Sequence, residues 1–457
     1  MKNISSDKLI GRIKDILAGP AFPDKEFVRA GATFAEVYAM AARLRAALAD
    51  PKYQDAGVCL AAENRALLAA ALLASLAGGP TLLLPYAFSP RALARLRQIT
   101  GYTCALSDVD REFPEGIEVL GPPSGKPAAS HPAIYGTLES ELLKIFTGGS
   151  TGTPQFWSKT GINLFAEGFF LADQFTVTEN DCIVATISPY HIYGLLFSVV
   201  LPLVSAATVL SESPSFPGEI TDAAQRNRAT ILAAVPAHYR ALRGRKFLTP
   251  SLRLAFSSAG MLDAADNDDF QLQNNIGIVE VYGSTETGGI ATRNRSRKEE
   301  HFTAFPTVDW KIKEQLLAVR SPYISPDVPL REDGFFITAD RVKDHGNNSF
   351  ALKGRADTVT KVGGKRVDLE EISGLIKQEA GASDCVVMAL PESGGREHRI
   401  AALIQGKEID LDTIRQKLAA SLEPYAMPRL IKTVDRIPLN NNGKYDRIAI
   451  IRLLTSS

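Results

Sequence analysis

The chain has 457 residues, 45% hydrophobic and 22% charged, with Lys+Arg and Asp+Glu balanced at 51 each. That composition supplies a full core and length for two or three domains. A formal net charge of zero gives no overall attraction to nucleic acid or an anionic membrane, so neither is expected as a partner.

The N-terminal segment has no apolar core of the secretory type. Cys59, Cys104, Cys182 and Cys385 form no CxxC pair and lie near no histidine at metal spacing. They read as buried thiols of a reducing compartment, and a cytoplasmic location is expected. Residues 66–84 carry no charge, which is nearly the length of a membrane span. Gly78-Gly79-Pro80 divides them, so a buried helix–turn–strand unit is expected instead of a span.

Short apolar runs alternate with helical patterns through the first three hundred residues. Strands are expected at 57–62, 81–84, 103–106, 142–147, 182–186, 230–234, 252–256 and 277–281, and helices at 65–77, 90–99, 192–203 and 263–274. This alternation implies parallel sheets covered on both faces. Closely spaced strands at 308–313, 316–319, 335–338 and 349–353 imply a small antiparallel unit. Helices at 368–379 and 411–422 with strands at 384–390 and 399–404 then make a compact α+β module.

The strand at 142–147 runs into Thr147-Gly148-Gly149-Ser150-Thr151-Gly152-Thr153-Pro154-Gln155. Glycines let successive N–H groups converge, and the hydroxyls add donors, which suits a polyphosphate. No GK[ST] follows, so this is not a Walker-type loop; composition alone fits a plain loop equally well.

Four further elements follow. They are Val281-Tyr282-Gly283-Ser284-Thr285-Glu286-Thr287-Gly288; Phe336-Ile337-Thr338-Ala339-Asp340; Leu352-Lys353-Gly354-Arg355-Ala356-Asp357; and Pro438-Leu439-Asn440-Asn441-Asn442-Gly443-Lys444-Tyr445-Asp446-Arg447. With the loop, they resemble the phosphate loop, YGxTE, TGD, GRxD and PLxxxGKxxR elements of the adenylate-forming (AMP-dependent synthetase/ligase) superfamily, in that family's order. Acyl-CoA synthetases, peptide-synthetase adenylation domains and luciferases belong to it. Ala339 replaces the glycine of the TGD element.

The resemblance implies a large α/β N-terminal domain over 1–356, with α/β subdomains, parallel sheets and a small antiparallel β unit holding the ATP and acid sites. It implies a mobile α+β C-terminal domain over 357–457 that carries the catalytic lysine. It also implies ATP, Mg²⁺ and coenzyme A, or the phosphopantetheine of an acyl carrier protein, as cofactors or co-substrates. Attack of a carboxylate on the α-phosphate brings two anions together, so such a site must neutralise charge and hold both groups in line.

Roles follow from the resemblance residue by residue. Thr147, Gly148, Gly149, Ser150, Thr151, Gly152 and Thr153 would grip the phosphates. Glu286 would hold Mg²⁺, with Thr285 beside it. Tyr282 would stack on the adenine; Ser258, Ala259 and Gly260 would line its pocket, with Gly283 and Ser284 bordering the nucleotide. Asp340 would take the ribose hydroxyls and Arg355 would sit near them. Lys444 would reach the carboxylate and α-phosphate. Asp357 would be the hinge, and Gly363 and Gly364 would let a pantetheine arm pass.

Ser188-Pro189-Tyr190-His191-Ile192-Tyr193-Gly194 resembles the PxxHxxG element of acyl- and aryl-CoA ligases, the branch closest in motif. His191 would lie beside the reacting carboxylate, although a satisfied core histidine is the plainer alternative. Ile192 stands where amino-acid-activating relatives carry Asp, which disfavours an α-amino acid. Tyr193 would add an aromatic wall or a hydroxyl, and Gly283 would line the acid. The expected activity is conversion of a small aryl or acyl carboxylic acid to acyl-AMP with release of pyrophosphate, then transfer to a thiol, first of all coenzyme A. The alternatives are a stand-alone enzyme loading an acid or amino acid onto a carrier protein, and a nucleotide-binding protein without turnover. Gln155 departs from the family's usual lysine and removes a charge from the phosphate loop.

Overall fold

The computed structural model describes residues 6–53, 56–123, 138–147, 155–356, 359–362, 365–380, 382–391, 398–406, 409–440 and 445–456. Two compact units emerge: Met1–Trp310 with Val319–Phe336, and Lys311–Ala318 with Ile337–Ser457.

The first unit holds two α/β layers. One is a six-stranded sheet in the order Glu118–Leu120, Cys104–Leu106, Val58–Leu60, Leu82–Leu84, Glu141–Thr147, Gln155–Thr160. All its pairs are parallel except the last. The three central triplets are buried on both faces, as continuous apolar strands of a covered parallel sheet must be. Helix Arg65–Leu76 is buried at every position, which explains its lack of a polar face. It stops before Gly79, where a Cβ would stand 2.7 Å from the Ala74 carbonyl oxygen. The uncharged stretch is therefore the expected helix–turn–strand unit.

The second layer continues the rhythm with Thr208–Val209, Cys182–Ala185, Ile231–Ala234, Leu254–Ser257 and Ile278–Ser284, neighbouring and parallel. Gly288–Arg293 and Phe302–Ala304 return antiparallel beside them. Ala255 packs into a core with Ile220, Ala224, Tyr239 and Phe270 from helices Pro217–Arg226, Pro236–Ala241 and Ala264–Asn274. Phe256, pointing the other way, meets Phe175 and Phe197 at 4.8 Å each. Alternate residues of one strand thus fill two cores, and the sheet is covered on both faces as expected.

The expected helix at 192–203 is one helical run of mixed hydrogen-bond spacing. An α-helical turn, Ile192–Leu195, leads into a π-helical stretch, Leu196–Val200, and then into Leu201–Ser205. Pro202 has no N–H to give, and the Leu201 N–H reaches back to the Leu196 carbonyl. Strand Gln155–Thr160 and helix Gly161–Phe175 were not legible in the sequence pattern.

In the second unit, strands Phe336–Gly346 and Ser349–Arg355 form a hairpin, with Gly346, Asn347 and Asn348 at positive φ in the turn. The first of these is much longer than the expected 335–338. A three-stranded sheet follows in the order Asp384–Pro391, His398–Gln405, Leu430–Val434. Ile372, Ile376, Ile414 and Leu418 of helices Leu369–Ala380 and Leu411–Ser421 cover one face. Ile450 and Leu454 of helix Arg447–Thr455 cover the other. Packing gathers the hairpin with the C-terminal residues in this second unit.

Among the described residues no helix is long and apolar enough to cross a membrane. All four cysteines are free and buried.

Candidate functional site

The parallel strands of the second layer end together. Ala185 pairs with Ala233, Ala234 with Ser257, and Ser257 with Glu280. The segments that leave these strand ends therefore start side by side along one carboxyl edge, where α/β sheets bind ligands. Those segments carry His191, His238 and Ser258–Gly260, and Tyr282 lies near the end of strand Ile278–Ser284 itself.

At the last strand the chain turns sharply. Ser284 and Thr287 close the turn through their side chains: their hydroxyl oxygens are 2.9 Å apart, and each accepts the other's backbone N–H. Thr285 and Glu286 are left at the tip, part-exposed. A Cβ on Gly283 would stand 2.2 Å from the Gly288 carbonyl oxygen, so only glycine permits the two limbs to close. Gly288 itself has φ +66. Tyr282 keeps its ring 5.6 Å from Phe302.

Ser258-Ala259-Gly260 leaves strand Leu254–Ser257 in a bend, with Ala259 at φ +68. Just before it, the Ser257 hydroxyl is buried with no hydrogen-bond partner among the described residues. An orphaned buried donor at a strand edge is what a ligand or water would satisfy.

His191 and Ile192 are part-buried at the start of the helical run. A Cβ on Gly194 would stand 2.0 Å from the Ser188 carbonyl oxygen, which ties the glycine of this element to the backbone that delivers His191. Tyr190, next to it, donates to the Ala62 carbonyl at 2.6 Å. Tyr193 is buried; its ring lies 4.9 Å from Phe197 and its hydroxyl donates to the Ala234 carbonyl. Burial raises both phenols far above their ordinary pKa. His238, overlooked in the sequence, has Nδ1 2.7 Å from the Thr186 hydroxyl. The signal available for it was a Pro-x-His directly after an apolar strand.

The phosphate-loop candidate is a hairpin connection. Thr147 pairs with Gln155 across its mouth, and the Thr147 hydroxyl donates to the Gln155 carbonyl at 3.3 Å. Gly148, Gly149, Ser150, Thr151, Gly152 and Thr153 lie outside the described residues, as do Asp357, Gly363, Gly364 and Lys444. Neighbours of the last are described: Leu439 bridges to Tyr445, whose hydroxyl donates to the Asp384 carboxylate at 2.8 Å.

In the second unit, Asp340 and Arg355 face each other across the hairpin, with Nη1 of Arg355 3.2 Å from Oδ1 of Asp340. The Asp340 N–H donates to the Thr338 hydroxyl at 3.1 Å. Gly354 has φ +80 beside Glu370, whose carboxyl is raised by burial and by Asp368. Asp340 and Arg355 are thus brought together.

No group of three His, Cys, Asp or Glu among the described residues could hold a metal. Glu286 offers one part-exposed carboxylate next to the Thr285 hydroxyl. A hard ion that takes one protein carboxylate and fills its other positions with phosphate oxygens and water fits that donor set; Mg²⁺ behaves so.

The model of the family described as AMP-binding enzyme matches residues 18–334. The sulfoacetate–CoA ligase of Cupriavidus necator is 22% identical over 68% of this chain and 67% of its own length. The 4-coumarate–CoA ligase of Halorhodospira halophila is 25% identical over 66% of this chain and 74% of its own. Among solved structures, ATP-bound MatB from Rhodopseudomonas palustris superposes with a TM-score of 0.81 at 22% identity, covering 96% of this chain and 97% of that one.

Proposed function

From the premise that the chain belongs to the AMP-binding enzyme family, we propose that it is an AMP-forming ligase joining a carboxylic acid to a thiol, with coenzyme A as the acceptor. Above all, the turn closed by Ser284 and Thr287 supports this. It presents Thr285 and Glu286 on the strand edge shared with Ser258 and Tyr282. Several relatives are CoA ligases, which supports the acceptor.

The reaction has two halves. First, an acid oxygen bonds to the α-phosphorus of ATP, the bridging P–O bond breaks, and pyrophosphate leaves with its electron pair. Then the thiol gives up its proton to water, sulfur bonds to the acyl carbon, the bond from that carbon to the phosphate oxygen breaks, and AMP leaves with its electron pair. Glu286 would hold Mg²⁺, which would supply counter-charge to the phosphates. Thr147 to Thr153 grip the phosphates, and Tyr282 and Ser258 to Gly260 hold the adenine. Asp340 accepts the ribose hydroxyls, with Arg355 beside it. Lys444 brings its ammonium to the acid and α-phosphate. Residues 357–457 rotate about Asp357 between the halves, and Gly363 and Gly364 admit the thiol arm.

The acid lacks an α-ammonium, because Ile192 offers that charge no partner. It is an aryl or acyl acid lying beside His191, Ile192 and Gly283. Tyr193 contributes shape to this pocket, since its hydroxyl is already committed to Ala234.

The test is exchange of labelled pyrophosphate into ATP across a panel of aryl, acyl and amino acids, with thioester measured after adding CoA. Exchange with simple acids and CoA thioester formation are expected. Exchange that yields thioester only with a carrier protein would move the acceptor; no exchange with any acid would sink the ligase.

A further inference from the structure

Beneath the Thr285–Glu286 turn lie two buried charged residues that the chemistry above does not use. Lys159 is 1% exposed and Glu167 is 3% exposed. Glu167 sits on helix Gly161–Phe175 among buried Leu164, Phe165 and Phe170, where a charge has no reason from packing alone. Leaving either ion in such a place without the other would be costly.

Their hydrogen bonds lead to the tip of the turn and to the limb that leaves it. On one side, the Gly289 N–H donates to Oε1 of Glu167 at 2.8 Å. Cβ atoms on Gly288 and Gly289 would stand 2.7 and 2.9 Å from the Glu167 oxygens, so the carboxylate fills the space that the two glycines leave. On the other side, Nζ of Lys159 donates to the Tyr323 carbonyl at 2.8 Å. Two residues on, the Ser325 N–H donates to the Glu286 carbonyl at 2.7 Å. The Ser325 hydroxyl returns to the Ser158 carbonyl at 2.6 Å, and the Ser158 N–H donates to Asp327. The backbone of Glu286 is therefore bound to the strand that bears Lys159.

We propose that Lys159 and Glu167 are positioning residues for adenylation, fixing the tip of the turn and the limb that leaves it so that Glu286 meets its metal ion in one place. The proposal rests on the metal role given to Glu286 above. The charges acting on Lys159 come from Glu167 on the helix, Glu286 on the turn and Asp327 on the strap that covers the strand edge. Burial pushes the Lys159 ammonium down to about 8, against the pull of those carboxylates, and pushes Glu167 up. As pH rises through that value the lysine loses its charge, Glu167 loses its counter-charge, and the hold on the turn weakens.

The experiment is a Mg²⁺ titration of pyrophosphate exchange in the full chain, with an acid from the panel that supports turnover, between pH 7 and 9.5. K159M and E167Q should each raise the half-activating Mg²⁺ concentration about tenfold, with the KM for the acid changed less than twofold. The double variant K159M/E167Q, which leaves no uncompensated charge, should recover at least half of that shift on a logarithmic scale. In the unaltered protein the half-activating concentration should climb above pH 8, and in the double variant it should not. Lowered thermal stability with unchanged Mg²⁺ activation would reduce the pair to a structural one and overturn the proposal. So would a pH-independent Mg²⁺ requirement in the unaltered protein, which decides the matter even if the variants fail to fold. E286Q separates the two assignments. A shift in E286Q without one in K159M or E167Q removes only the positioning role. No shift in E286Q removes the metal role and this proposal with it.

Discussion

The Thr287 hydroxyl oxygen lies 2.9 Å from that of Ser284 and donates its own proton to the Gly288 carbonyl, also at 2.9 Å. The Ser284 hydroxyl is therefore the donor between the two. Each oxygen also accepts the other residue's N–H. These side-chain bonds add to the ladder that pairs Ser284 with Gly288, and together they hold Thr285 and Glu286 at the tip.

Replacing Thr287 by Val keeps the shape and removes the hydroxyl. Thr287 is buried, so the Ser284 groups lose a partner at a cost of about 1–3 kcal/mol. Thermal unfolding should register that loss, and pyrophosphate exchange should fall more than tenfold, with Thr287→Ser close to the unaltered protein. A Val variant with unchanged exchange would mean that this closure does not present Glu286.

Gly194→Ala places a methyl 2.0 Å from the Ser188 carbonyl oxygen. Backbone must move, at about 1–3 kcal/mol for overpacking. The displaced segment carries His191, so the KM for the acid should rise several-fold while the KM for ATP holds. Equal change in both would detach His191 from the acid.

Lys444→Ala should abolish acyl-AMP formation to a degree of about a hundredfold or more, the range of a lost transition-state charge partner. Thioester formation from supplied acyl-AMP should be nearly untouched. Single-turnover measurement of each half resolves them, and equal loss in both would remove the assigned role.

Gln155 caps the hairpin mouth opposite Thr147 and supplies no charge. Gln155→Lys should tighten ATP about threefold to tenfold, as one added charge near phosphate does at an exposed site, and salt should erase most of the gain. Fluorescence titration of ATP at two salt concentrations checks it; unchanged affinity would show that the loop does not need the cation.

The alternation of strands and helices, the parallel layers and the family were legible in the sequence because they are written in local patterns. Apolar runs such as 58–60 and 82–84 carry their own signal of burial. The glycines at 194 and 283 carry theirs as elements whose spacing the backbone requires. Strand Gln155–Thr160 was not legible, since Gln-Phe-Trp-Ser-Lys-Thr has no clean alternation and owes its form to pairing with Glu141–Thr147. The π-helical stretch escaped for a similar reason, its bonds being set by Pro202 and by packing within an evenly apolar run.

By itself, then, the sequence pointed to the residues proposed to face a nucleotide and an acid, because that chemistry demands particular side chains at particular spacings. Only the tertiary structure decided that Tyr193 gives its hydroxyl to Ala234, that His238 stands against Thr186, and that Lys159 and Glu167 share the floor beneath Glu286. A lone lysine in a strand and a lone glutamate in a helix look like solvated charges until the fold removes the water from both. Burial is a property of the whole assembly, and it alone turns those two residues into each other's counter-charge.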